Sequence, residues 1–76
     1  MDLKDRIQAA RVARGLKTQR ELAERADVSL SMVSLLERGE KTDMRASMAR
    51  DLATALGCSV DWLLNGTGEG PGGVAA

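Results

Sequence analysis

The chain has 76 residues, one cysteine, one aromatic side chain and no histidine, and its eleven acids balance its eleven bases. A chain this short forms one small core and depends on efficient helix packing when no disulfide staples it. The lone Cys58 excludes an internal bridge, and the missing imidazole excludes zinc fingers, zincins and Ser-His or Cys-His hydrolases.

The apolar residues are mainly Ala, Leu, Met and Val, with Trp62 the single aromatic. That palette suits close-packed helices and not a sandwich or barrel rich in β-branched and aromatic residues, so the expected fold class is all-α. No apolar run approaches the length of a membrane span, and Met1-Asp-Leu-Lys-Asp-Arg is too polar for a signal-peptide core. The expected compartment is a reducing cytoplasm. The zero net charge hides an asymmetry: residues 1–25 carry seven bases against four acids, and the remainder four against seven. One end of the molecule is therefore expected to be basic enough to meet phosphates.

The first helix is expected to start near Asp2, with Asp5 in its first turn, Leu3, Ile7 and Ala10 on one face, and Gly15 at its end. Arg6 and Lys4 read as an ordinary solvated face balanced by Asp2 and Asp5. The run Thr18-Gln-Arg-Glu21 fits a capping box, in which Thr18 accepts from the amide of the third helical residue and Glu21 reaches back to the cap amide. Leu22, Ala23 and Ala26 then form the inner face of the second helix. Asp27 stands where that helix must turn, and Asp is among the few non-glycine residues that tolerate the left-handed conformation.

Ser29 caps the third helix, which runs to Gly39. Met32, Val33 and Leu36 share its inner face and leave Leu30, Ser31, Ser34, Leu35 and Arg38 more exposed. A fourth helix is expected from about Arg45 to Leu56, with Met48, Leu52, Ala53 and Leu56 inward and Gly57 closing it. A short fifth turn, Val60 to Leu64, brings Trp62 and Leu63 onto the others and stops at Asn65-Gly66. Beyond it, residues 67–76 are rich in glycine and read as a flexible tail or linker after a domain spanning 1–66. In the stretch around Cys58, a small buried thiol is the expected role.

Two short helices joined by a tight turn form the smallest rigid device that places a helix in the major groove of DNA. Gln19, Ala23, Asp27 and Val33, at steps of four, four and six, resemble the helix-turn-helix signature of lambdoid phage repressors and Cro proteins, the XRE family. Arg11-x-x-Arg14-Gly-Leu, Glu21-Leu-Ala, Leu36-Glu-Arg-Gly39 and Leu52-Ala-Thr-Ala-Leu-Gly-Cys-Ser-Val-Asp-Trp-Leu-Leu-Asn-Gly66 extend the resemblance over roughly residues 5–66. It implies a five-helix, lambda-repressor-like domain that binds double-stranded DNA as a homodimer on a palindromic operator and regulates transcription as a phage or bacterial repressor. Small Ala23 would let the two motif helices cross closely, and Val33 would supply the packing knob.

By the same resemblance Gln19 contacts a phosphate, Ser29, Leu30, Ser31, Ser34 and Leu35 face the groove, and Arg11 pairs with Glu37 beneath the motif. If exposed, that pair would contribute about 0–1 kcal/mol. Thr18, Arg20, Arg38, Lys41, Thr42 and Arg45 complete the expected DNA-binding set, with Arg14 and Lys17 nearby. The chain departs from the family in having Asp27 at the turn, an additional Lys17 before the capping threonine, and a recognition helix without Gln, Asn, Arg or Lys at its outward positions. Leucines read sequence by packing on thymine methyl groups, and serines bond to several base edges. The dimer contact is expected at the fifth turn and the end of the fourth helix, including Leu63 and Leu64.

A second reading keeps the fold and assigns the leucine-bearing helix to a protein partner, as in an antirepressor or toxin-antitoxin adaptor, because two exposed leucines, Leu30 and Leu35, one turn plus one residue apart, make an adhesive face. No acid pairs with a nucleophile in a way that suggests an enzyme, and no residue cluster points to a cofactor or metal.

Overall fold

A computed structural model describes residues 1–71. Five α-helices follow one another: α1 (Leu3–Ala13), α2 (Gln19–Ala26), α3 (Leu30–Glu37), α4 (Ala46–Leu56) and α5 (Val60–Asn65). All five expected helices are present, and their ends fall within a residue or two of the local signals. Hydroxyl caps set three of the starts. Thr18 Oγ1 accepts from the Glu21 amide at 3.1 Å, Ser29 Oγ from Met32 at 3.1 Å, and Ser59 Oγ from Trp62 at 3.0 Å. Each cap satisfies one of the amides that a helix start leaves without an internal partner.

Glu21 completes its half of the capping box differently from expectation. Its Oε2 accepts from the Lys17 amide at 2.9 Å instead of the Thr18 amide. The additional residue brings its own N–H over the helix start, and the carboxylate takes that donor. At the other end, Asp27 adopts the left-handed conformation, φ 56° and ψ 45°, and Gly57 does the same after α4 at φ 68°.

α2 packs on α3 and α4, while α1 crosses α3, α4 and α5. Ile7, Leu22, Val33, Leu52, Leu56 and Leu63 lose all contact with solvent, and Leu36 nearly all. Ala10, Ala23, Ala26, Ala49, Ala53 and Ala55 are buried between them, which lets the helices approach closely without large side chains in the way. Ala23 and Val33, expected where α2 and α3 meet, are both buried. Leu3, Met32 and Met48 are half-buried at the margin of this core and not within it.

Three expectations are corrected by the packing. Arg6 is not on a solvated face: it is buried, and its Nε and Nη2 donate to the carbonyls of Leu63 and Leu64, each at 2.9 Å, while Nη1 donates to the Met1 carbonyl. It thereby satisfies carbonyls that the end of the short α5 leaves open. Leu63 is fully buried and is unavailable to a second subunit; Leu64, 39% exposed, is the leucine that faces solvent.

The third correction concerns the start of the glycine-rich segment. The Glu69 carbonyl accepts from the Ser59 amide at 2.9 Å, and Pro71 is buried. Gly70 lies so close to Trp62 that a Cβ there would sit 3.0 Å from the indole nitrogen. Residues 67–71 thus pack back on α5, where the sequence suggested a free linker. The remainder of that expected tail lies outside the described residues.

Candidate nucleic-acid interface

The helix-turn-helix is held by side chains from three helices that meet at Glu37, the last residue of α3. Arg11 on α1 grips its carboxylate with a fork, Nε to Oε2 at 2.8 Å and Nη2 to Oε1 at 3.2 Å. Gln19, the first residue of α2, donates from Nε2 to the same Oε1 at 3.3 Å. Ser34 on α3 donates its hydroxyl to Gln19 Oε1 at 2.7 Å. Gln8 adds a bond from α1 to the Glu37 main-chain carbonyl at 2.8 Å. Only 2% of the Glu37 side chain and 14% of the Arg11 side chain remain exposed.

The Arg11–Glu37 pair implied by the resemblance is therefore present, and it is not a weak exposed contact. Carboxylate and guanidinium leave water together, and their bidentate geometry fixes the end of α3 against α1. Arg11 also donates from Nη1 to the Leu16 and Lys17 carbonyls, both at 3.0 Å. The lead-in loop with its additional residue is consequently held at the Lys17 carbonyl by Arg11 and at the Lys17 amide by Glu21.

With α3 anchored in this way, the residues expected to meet DNA divide into three groups. Thr18, Arg20, Ser29, Ser31, Arg38, Thr42 and Arg45 are exposed. Gln19, Ser34, Leu35 and Lys41 are half-buried, and the first two bond to each other. Leu30 is half-buried and packs against the core, so part of its surface serves the fold and less is open than the outward reading of α3 implied. Ser29 spends one hydroxyl lone pair on capping α3. Ser31 and Leu35, together with Arg38 one turn further, are the outward residues that α3 does not use internally.

The loop that follows α3 carries its charges as neighbouring pairs. Arg38 Nε lies 2.8 Å from Glu40 Oε2, and Lys41 Nζ lies 3.7 Å from Asp43 Oδ1. Arg45 then precedes α4 in extended backbone without a side-chain cap, unlike the residues that start α2, α3 and α5. Gln8 and Glu40 were absent from the sequence-derived site. Gln8 stands one helical turn before Arg11 on the same face, a spacing that could have indicated it. A separate cleft of about 480 Å³ opens between the motif turn and α4, with Val28, Met32, Met44 and Met48 among its walls.

A compact helical body, a tight turn between α2 and α3, and a third helix locked from below define a DNA-binding helix-turn-helix regulator of the lambda-repressor-like type. The sequence profile of a family described as helix-turn-helix matches residues 7–63, from the middle of α1 to the middle of α5. The chain belongs to that family, which includes the XRE and phage-repressor proteins whose motif the sequence resembles.

Proposed function

We propose that this domain recognises a palindromic DNA operator as a homodimer and represses transcription by occupying the site, as a phage or bacterial repressor. The observation that carries the reading is the anchoring of α3: a buried Arg11–Glu37 fork, to which Gln19 bonds and through Gln19 also Ser34, sets the angle of the helix that bears Ser31 and Leu35. Base contacts read sequence only when the reading helix is held in register by phosphate contacts around it. Thr18, Gln19 and Arg20 at the start of α2, and Arg38, Lys41, Thr42 and Arg45 after α3, supply that register from two sides.

In this reading Gln19 turns its remaining amide hydrogen to a phosphate while its other atoms hold Ser34 and Glu37. Ser29 and Ser31 meet base edges or nearby phosphates, Ser34 contributes its free lone pair, and Leu35 and the open part of Leu30 pack on thymine methyl groups. A helix with so few bidentate groups places much of its selectivity on groove shape. Two recognition helices of a symmetric dimer then enter successive major grooves about 34 Å apart. Leu64 supplies exposed apolar surface for the subunit contact. The domain works in the cytoplasm, where its DNA is; among the described residues no helix is long and apolar enough to cross a membrane.

Selection from a random duplex pool tests this. The expected product is an inverted repeat with half-sites one helical turn apart, bound with an affinity that falls steeply as salt rises because phosphate contacts release counterions. In the selected operator, Leu35→Ala is expected to relax preference at one thymine-bearing base pair, and Gln19→Ala to weaken all sequences about equally. A domain that enriches no sequence, and whose partner binding is indifferent to salt, belongs to the protein-interaction reading instead.

A further inference from the structure

The α3–α4 loop places an acid beside each of its first two cations. The Arg38–Glu40 pair closes at 2.8 Å with both side chains more than half exposed, and Lys41 faces Asp43 at 3.7 Å with Asp43 almost fully in solvent. Residues 38–43 consequently carry no net charge in the segment that follows the recognition helix directly. Arg20 and Arg45, on either side of this loop in sequence, form no ion pair among the described residues.

Resting on the DNA-binding reading, we infer that Glu40 and Asp43 are affinity-setting residues: they occupy Arg38 and Lys41 in the free protein and compete with backbone phosphate for them on DNA. Exposed ion pairs exchange partners readily, so a phosphate can take Arg38 from Glu40. The carboxylate then remains within a few ångströms of the phosphate it has been displaced by, and like charges at that distance repel. The gain from each phosphate contact is partly cancelled, for any DNA sequence. Because base-edge contacts by α3 are untouched, the pairs lower affinity for all duplexes and leave base preference as it is.

Binding to random DNA, which is made through phosphates alone, is lowered by the same factor as the phosphate share of operator binding.

The test compares the full chain with the E40Q/D43N variant by mobility shift and fluorescence anisotropy, on a random-sequence duplex and on the selected operator, across a salt series. The variant is expected to bind random duplex about tenfold more tightly at moderate salt. Its plot of log affinity against log salt steepens by about 1 to 2, given roughly 0.9 for each added phosphate interaction. The order of preference among operator variants stays the same. A D61N/E69Q variant removes the same charge outside the loop and is expected to move the salt slope little; Tm measurements confirm that both variants remain folded.

An E40Q/D43N protein whose affinity and slope match the unaltered chain overturns the inference, as does a control variant that reproduces the effect. Failure of the unaltered chain to bind any duplex even at low salt is a separate result, and it removes the DNA-binding reading itself.

Discussion

Asp27 carries the turn between α2 and α3 with a positive φ, the only non-glycine residue to do so among those described. The left-handed region costs an L-residue about 1–2 kcal/mol, and Asp and Asn bear it best. Asp27→Ala is therefore expected to lower stability by about 1 kcal/mol, whereas Asp27→Gly, which relieves the Cβ clash but loosens the unfolded chain, should fall within about 0.5 kcal/mol of the unaltered protein. Urea unfolding of the pair checks this, and equal losses in both would mean that the Asp27 carboxylate, and not its backbone, supports the turn. Glu37 presents the opposite case, a charge whose value lies in its partners. Glu37→Ala removes the acceptor of Arg11 Nε and Nη2 and of the Gln19 amide in a largely buried site, and leaves Arg11 only the Leu16 and Lys17 carbonyls. The expected loss is about 3 kcal/mol, larger than for removal of the exposed Glu40, and thermal unfolding distinguishes them. Cys58 is half-buried at the margin of the core instead of fully buried as expected, and this burial still pushes its thiol above its ordinary range, which keeps it protonated and slow to react.

At the scale of helices, the starts and stops were legible because their causes are local: Thr18 and Ser29 stand three residues before the amides they accept from, and Gly57 closes α4 within its own last turn, while Ser59, which the sequence reading did not single out, caps α5 in the same way. What bridges distant parts of the chain was not legible in the same way. Arg6 reaches carbonyls 57 and 58 residues away, and no periodicity along α1 separates a cation aimed at another helix from one aimed at water. The Arg11–Glu37 pairing came from family resemblance, yet its burial depends on how α1 crosses α3. The glycine-rich segment shows a related limit, since composition indicates how little side chain it can bury but not that bare backbone fits against Trp62. Truncation after Asn65 removes the Ser59–Glu69 backbone bond and the packing of Gly70 and Pro71. Such a truncation is expected to cost about 1 kcal/mol, or roughly 4–8 °C in Tm for a domain of this size. Calorimetry showing no shift would mean that this docking contributes nothing to stability.

As a whole the molecule measures 28 × 24 × 20 Å, so α3 and the cation-bearing segments on both sides of it are never far from one another. The balanced net charge of the chain says little about the charge of any one face. Acids are drawn into capping, as with Glu21, into the interior, as with Glu37, or against a neighbouring base, as with Glu40, and each placement has a different electrostatic consequence. The division of charge along the sequence pointed to a basic first third, but the structure shows that one of its bases, Arg6, is enclosed and another, Arg11, is committed to Glu37. The enclosed arginine has one more effect. By holding the carbonyls of Met1, Leu63 and Leu64 in a single guanidinium, it makes residue 1 and the final helix next-door neighbours, so the path of the chain is nearly a closed ring. A few residues of spacer between those two points would suffice to join them, and the order of the helices could then be rotated about the ring, with the first helix following the fifth, while every contact beneath α3 is kept.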